Sequence, residues 1–146
     1  MTTVNVYLTF NGNCEEAFLH YSSVFGGEFD HLGRFSEMPE NPKFPISEED
    51  KEKIMHVSMP ISKETFLMGS DVAGEWSATY KEGNNFSVSI NTATKEEADR
   101  LFEGLSQEGK VIMPMDVTFW GSYFGNFVDK FGVQWMISCY ADVKNK

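Results

Sequence analysis

Basic residues are scarce in this 146-residue sequence: 12 Lys and Arg stand against 22 Asp and Glu, a formal net charge of -10. Such a charge repels phosphate backbones, whose binding rests on Lys/Arg neutralisation, so nucleic acid is excluded as an expected partner. Cysteine is nearly absent. Cys14 and Cys139 stand far apart and form no C-x-x-C pair, which points to free thiols in a reducing compartment and hence to a cytoplasmic protein. No stretch approaches the ~20 apolar residues of a membrane span, and Met1 to Phe10 lacks the basic-then-apolar order of a signal peptide. Neither membrane insertion nor export is expected. Histidine is confined to positions 20, 31 and 56, so the second half offers no imidazole for metal or acid–base chemistry.

What is abundant is phenylalanine, with 13 copies, inside an otherwise ordinary globular composition of 41% hydrophobic and 23% charged residues. Large rings suit an enclosed apolar surface, whether core or pocket wall. Val4 to Phe10 alternates with β-branched and aromatic residues and predicts a strand, broken by Asn11-Gly12-Asn13. Asn13 with Glu16 reads as a capping box, and Ala17, Phe18, Tyr21, Val24 and Phe25 recur at helical spacing before Gly26-Gly27. Strands are predicted over Glu28 to Phe35, Ile54 to Ile61 and Thr65 to Gly69, completing one βαβββ unit.

After a polar linker the order repeats. Asn85 to Asn91 alternates as a strand, Thr94 with Glu97 forms a second capping box, and Ala98, Leu101, Phe102 and Leu105 make the stripe of a second helix. Lys110 to Met115, Ser122 to Val128 and Gln134 to Tyr140 supply the remaining strands, with Asp129-Lys130-Phe131-Gly132 as a hairpin turn. Between Phe35 and Ile54 runs a long connection containing Pro39, Pro42 and Pro45 and a predicted helical turn at Ser47 to Asp50. A connection of that length is either a functional lid or a solvated insertion.

Several segments together resemble the PhnB-like branch of the vicinal oxygen chelate (glyoxalase/bleomycin resistance/dioxygenase) superfamily. They are Tyr7 to Asn13, Tyr21 with Val24 to Gly27, Ile54 to His56, Met68 to Asp71 and, most specifically, Thr118 to Met136. The resemblance implies an α+β fold: paired βαβββ modules forming a curved, mostly antiparallel sheet around a cup, in a single domain of residues 1–146. Module one would cover about residues 1–72 and module two about 84–142. It also implies a homodimer. Some PhnB-like domains carry a demethylubiquinone methyltransferase label; a nucleotide-type cofactor loop would follow a strand and open a helix, whereas Gly26-Gly27 follows a helix.

Metal-dependent relatives place His, Glu or Gln on strands of both modules. Aligned on this chain, those positions fall near Asn5, Met68, Ser87 or Phe86, and Met136, which lack the imidazole and carboxylate groups that divalent metals prefer. No metal and no cofactor is therefore expected, and the leading function is a metal-independent small-molecule-binding protein. The alternative is a metal-dependent lyase, isomerase or dioxygenase of the same superfamily, recruiting its metal through His56. The ligand-binding candidates are Tyr7, Arg34, His56, Asp71, Trp120 and Tyr123. His56 is either a general base or anion holder, or a structural histidine. Arg34 is either the cation of the cup or half of an ordinary ion pair. Asp71 either meets a ligand or caps a turn. Trp120 and Tyr123 belong to the densest aromatic segment, which serves as core and as pocket wall. His20 and His31 are assigned no role.

Overall fold

The computed structural model describes residues 2–140; Met1 and residues 141–146, which include the expected end of module two, lie outside them. The described chain forms two compact units, Met1–Lys81 and Glu82–Lys146. Unit one contains β1 (Val6–Phe10), α1 (Cys14–Phe25), β2 (His31–Arg34), β3 (Ile54–Pro60) and β4 (Phe66–Asp71). Unit two contains β5 (Val88–Thr92), α2 (Lys95–Leu105), β6 (Lys110–Val117), β7 (Tyr123–Val128) and β8 (Gln134–Cys139). Each holds a four-stranded mixed sheet, in the orders β1-β4-β3-β2 and β5-β8-β7-β6. In each, the first strand lies parallel to the last and the other pairings are antiparallel, so the duplicated βαβββ order expected from the sequence is the architecture observed.

In unit one the helical stripe does what its spacing predicts. Ala17, Phe18 and Tyr21 are fully buried against Leu8, Val57 and Leu67, and burying a ring such as Phe18 stabilises by roughly 1.5–3 kcal/mol. Phe18 comes so close that a Cβ on Gly69 would stand 2.7 Å from its ring and 2.9 Å from the Leu8 carbonyl oxygen. Only glycine fits there. In unit two, Ala98, Leu101 and Leu105 bury the stripe of α2, and Trp135, Ile137 and Phe127 line the same core.

Helix ends divide the two readings of the caps. Thr94 caps α2 as expected, its Oγ accepting from the Glu97 amide at 3.2 Å. Asn13 occupies the N-cap position of α1 but makes no side-chain cap hydrogen bond. Asp71 replaces it from the end of β4, its Oδ1 accepting from the amides of Gly12 at 2.9 Å and Cys14 at 3.0 Å. The carboxylate arrives from 57 residues away and is invisible to a local cap motif. Strand β2 is also shorter than expected: it begins only at His31, and Phe35–Glu37 tightens into a 3-10 turn.

Candidate functional site

Alternation along each strand sends successive side chains to opposite faces of a sheet. In unit one, Leu8, Val57, Leu67 and Gly69 face α1, which places Tyr7, Thr9, His56, Ser58, Met68 and Ser70 on the face away from the helix. The register sets Tyr7 beside Met68, Met68 beside Ser58, and Ser58 beside His31. Tyr7 then leans across β4 so that its hydroxyl lies 3.2 Å from His56 Nδ1. The two rings stack with centroids 5.6 Å apart and an interplanar angle of 24°.

On the other side of His56 stands His31, ring centroids also 5.6 Å apart. Gly33 makes this approach feasible: it pairs with His56, and a Cβ at Gly33 would stand 3.1 Å from His31 Cε1. The absence of that side chain lets the His31 ring lie over the strand. One phenol and two imidazoles, from β1, β3 and β2, thus form a row across the four-stranded sheet, with the Met68 thioether of β4 beside them. Tyr7 is 48% exposed, so the row is open to solvent rather than sealed as core. Such a row offers hydrogen bonds of both senses and apolar ring faces, a combination suited to holding a small polar molecule.

The other sequence-derived candidates lie elsewhere. Arg34 grips Glu15 in a two-pronged pair, Nη1 to Oε1 at 3.0 Å and Nη2 to Oε2 at 2.7 Å, and donates again to the Glu52 carbonyl at 2.8 Å. Hydrogen bonding to Arg34 holds the Glu15 carboxyl below its ordinary range. Asp71 is buried, and besides the two amides at α1 its Oδ2 accepts from Ile54 N at 2.9 Å. Asp71 thus holds the start of α1 to β3, and Arg34 holds α1 to β2 and to the Glu52 carbonyl ahead of β3. In unit two, Tyr123 donates to Asp99 Oδ1 of α2 at 2.6 Å, a bond that, with burial, pushes its phenol up to about 12. Trp120 sits in the β6–β7 connection, 51% exposed, with its ring edge-on to Phe119 and Phe124. The structure therefore brings Tyr7 and His56 together and does not bring Arg34 or Asp71 to their face.

His31 is the residue that sequence reasoning passed over. The spacing His31-x-Gly33 on a strand, with the glycine beside His56, is the signal that marks it, and it becomes legible only once the β2–β3 register is known. Cys14 offers no nucleophile: it is fully buried, and burial reinforced by the Asp71 charge pushes its thiol well above the usual range.

Residues 2–138 match the family described as 3-demethylubiquinone-9 3-methyltransferase. The chain belongs to that family. It is 32% identical over 143 residues to Protein YjdN of Escherichia coli (strain K12), covering 90% of this chain and 91% of that protein. It is 38% identical to PA1353 from Pseudomonas aeruginosa, with a TM-score of 0.81 over 95% of this chain and 98% of that one. The fold is that of the glyoxalase superfamily. A glyoxalase/bleomycin resistance protein/dioxygenase family enzyme from Burkholderia phytofirmans PsJN superposes with a TM-score of 0.60 at 14% identity, over 93% of this chain and 96% of that chain.

Among the described residues, the positions aligned with the metal ligands of the superfamily carry a donor set that fits a divalent metal poorly. At the positions aligned with superfamily metal ligands, the Asn5 amide oxygen accepts from Phe66 N at 3.0 Å, and Met68 and Met136 offer thioethers, poor donors for hard divalent ions. Among the described residues, no three His, Cys, Asp or Glu side chains converge on one point. Where β1 turns into α1, the amides of Gly12 and Cys14 are given to Asp71 and are not free for a phosphate or other anion.

Proposed function

We propose that this protein is a metal-independent small-molecule-binding protein of the glyoxalase/bleomycin-resistance type, holding its ligand on the Tyr7, His31 and His56 face of unit one. The observation that carries the reading is the Tyr7–His56 contact of 3.2 Å on an open sheet face, with a second imidazole alongside. Buried histidines that serve only as structure are enclosed and saturated, whereas this row presents its edges to solvent. Trp120, exposed in unit two, is retained as a separate candidate for ligand contact in its own unit.

A thermal-shift screen of carboxylates, phosphonates, thiol conjugates and hydrophobic drugs tests the proposal. A ligand at 100 times its Kd stabilises by about 2.7 kcal/mol, and that gain should disappear in Tyr7→Phe/His56→Ala. If no compound stabilises the wild type, the face is vestigial. Protein purified without chelator is expected to carry no stoichiometric divalent metal. Zinc, nickel, manganese or iron bound one per chain and lost in His56→Ala would instead favour a metal-dependent lyase, isomerase or dioxygenase.

The proposal includes a homodimer in the cytoplasm. Strand β6 ends the sheet of unit two and exposes Val111, Ile112, Met113 and Val117, an apolar edge of the kind that self-association covers. Light scattering on the eluting protein should give twice the 16.6 kDa chain mass.

A further inference from the structure

The connection between β2 and β3 is built rather than loose. At its base, Phe35 N donates to Lys53 O at 3.1 Å and Ser36 N to Lys51 O at 2.9 Å. At its far end Asp50, buried at 9% exposure, ion-pairs with Lys53 at 2.7 Å and accepts from Gly74 N at 3.1 Å. Those contacts hold its carboxyl below the usual range. Phe44 from the connection rests against Trp76 of the 74–79 turn, ring centroids 5.3 Å apart. Gly74, at φ 59°, brings its backbone within reach of the Pro45 carbonyl.

Inside this frame lies a cavity of about 500 Å³, within the range of small-molecule sites. Its apolar wall includes Met38, Pro39, Pro42 and Phe44, and the prolines keep that wall stiff. Its charges are unequal. Lys51 bonds Glu48 at 2.7 Å and its charge also attracts Glu40, yet the lining still sets two carboxylates against one ammonium. The net charge of -10 adds an attraction for cations at longer range.

We infer that this cavity is a second ligand site, separate from the Tyr7–His56 face, which takes a ring-bearing organic monocation such as an arylalkyl ammonium or a quaternary ammonium. Prolines pack the apolar body, Glu40 balances the charge, and the Phe44 ring, steadied from outside the cavity by Trp76, supplies the aromatic face that such cations prefer.

Two dyes of opposite charge test this. Berberine, a planar quaternary cation, should bind the full-length protein at one per chain, about tenfold more tightly than the anionic 1-anilinonaphthalene-8-sulfonate. Glu40 is exposed and its replacement leaves the fold intact, as circular dichroism should verify. Glu40→Gln should weaken berberine about threefold and Glu40→Lys about tenfold. His56→Ala should leave it unchanged, so failure here and failure of the sheet-face proposal are separable. Equal or tighter binding of the anionic dye, a change of less than twofold in Glu40→Lys, or loss of berberine in His56→Ala would each overturn the inference.

Discussion

The Trp135 indole donates to the buried Asp129 carboxylate, Nε1 to Oδ2 at 2.9 Å. The other oxygen of Asp129 accepts from the amides of Phe131 at 2.9 Å and Val133 at 3.0 Å, so one side chain folds the β7–β8 turn and fastens it to the largest ring in the core. Asp129→Asn keeps the shape but, with its amide nitrogen turned to the indole, sets two donors against each other. It should cost about 1–3 kcal/mol in urea unfolding followed by tryptophan fluorescence. An unchanged midpoint would mean that the turn is held by something else.

Arg34 and Glu15 tie β2 to α1 at the surface, with side-chain exposures of 27% and 45%. Because the Glu15 carboxyl is lowered from its ordinary 4.5, the pair contributes stability that is present above about that pH and is lost as pH falls through the folded value. Solvent screening limits the amount. Glu15→Gln should lose roughly 0.5–1 kcal/mol at pH 7, and the gap to wild type should close in acid melts. A gap that persists at pH 2.5 would assign the loss to packing.

Tyr123 titrates at the alkaline end. Its folded value of about 12 lies above the ordinary 10, so the Asp99 bond stabilises fully below 10 and is lost as pH rises towards 12. The difference in absorbance at 295 nm between wild type and Tyr123→Phe should therefore show one phenol ionising late. An ordinary midpoint would show the bond to be absent in solution.

On the open face of unit one, His31→Ala and His56→Ala should each weaken a ligand found in the thermal screen, and Tyr7→Phe should do so by less, about 1 kcal/mol for one neutral hydrogen bond. Isothermal titration decides it. If His31→Ala binds as wild type does, the row is reduced to the Tyr7–His56 pair.

Packing within each unit, and its helices in particular, was legible from the sequence because a stripe such as Ala17, Phe18 and Tyr21 encodes its own burial. The Thr94 cap was legible for the same reason: its partner Glu97 lies three residues away. Asp71 was not, since it acts on Cys14 across the whole unit, and the local alternative at Asn13 had every compositional mark of a cap. The candidate face divided in the same way. Tyr7 and His56 are legible as individual residues, but their contact runs across β4 and depends on strand order. His31 acquires meaning only when the pairing of Gly33 with His56 is known. Arg34 faces Glu15 because β2 breaks register between Gly33 and Arg34, a shift that alternation cannot foresee.

Strand β1 pairs with β4, Val6 beside Leu67 and Phe10 beside Asp71. During synthesis β1 thus waits without its β4 neighbour until the last strand of its unit emerges, and so does the start of α1, whose amides depend on Asp71. The Tyr7–His56 row forms only at that late moment of chain growth. Ribosome-stalled fragments ending before β4 should therefore remain open to protease, and fragments extended past it should become resistant in a single step.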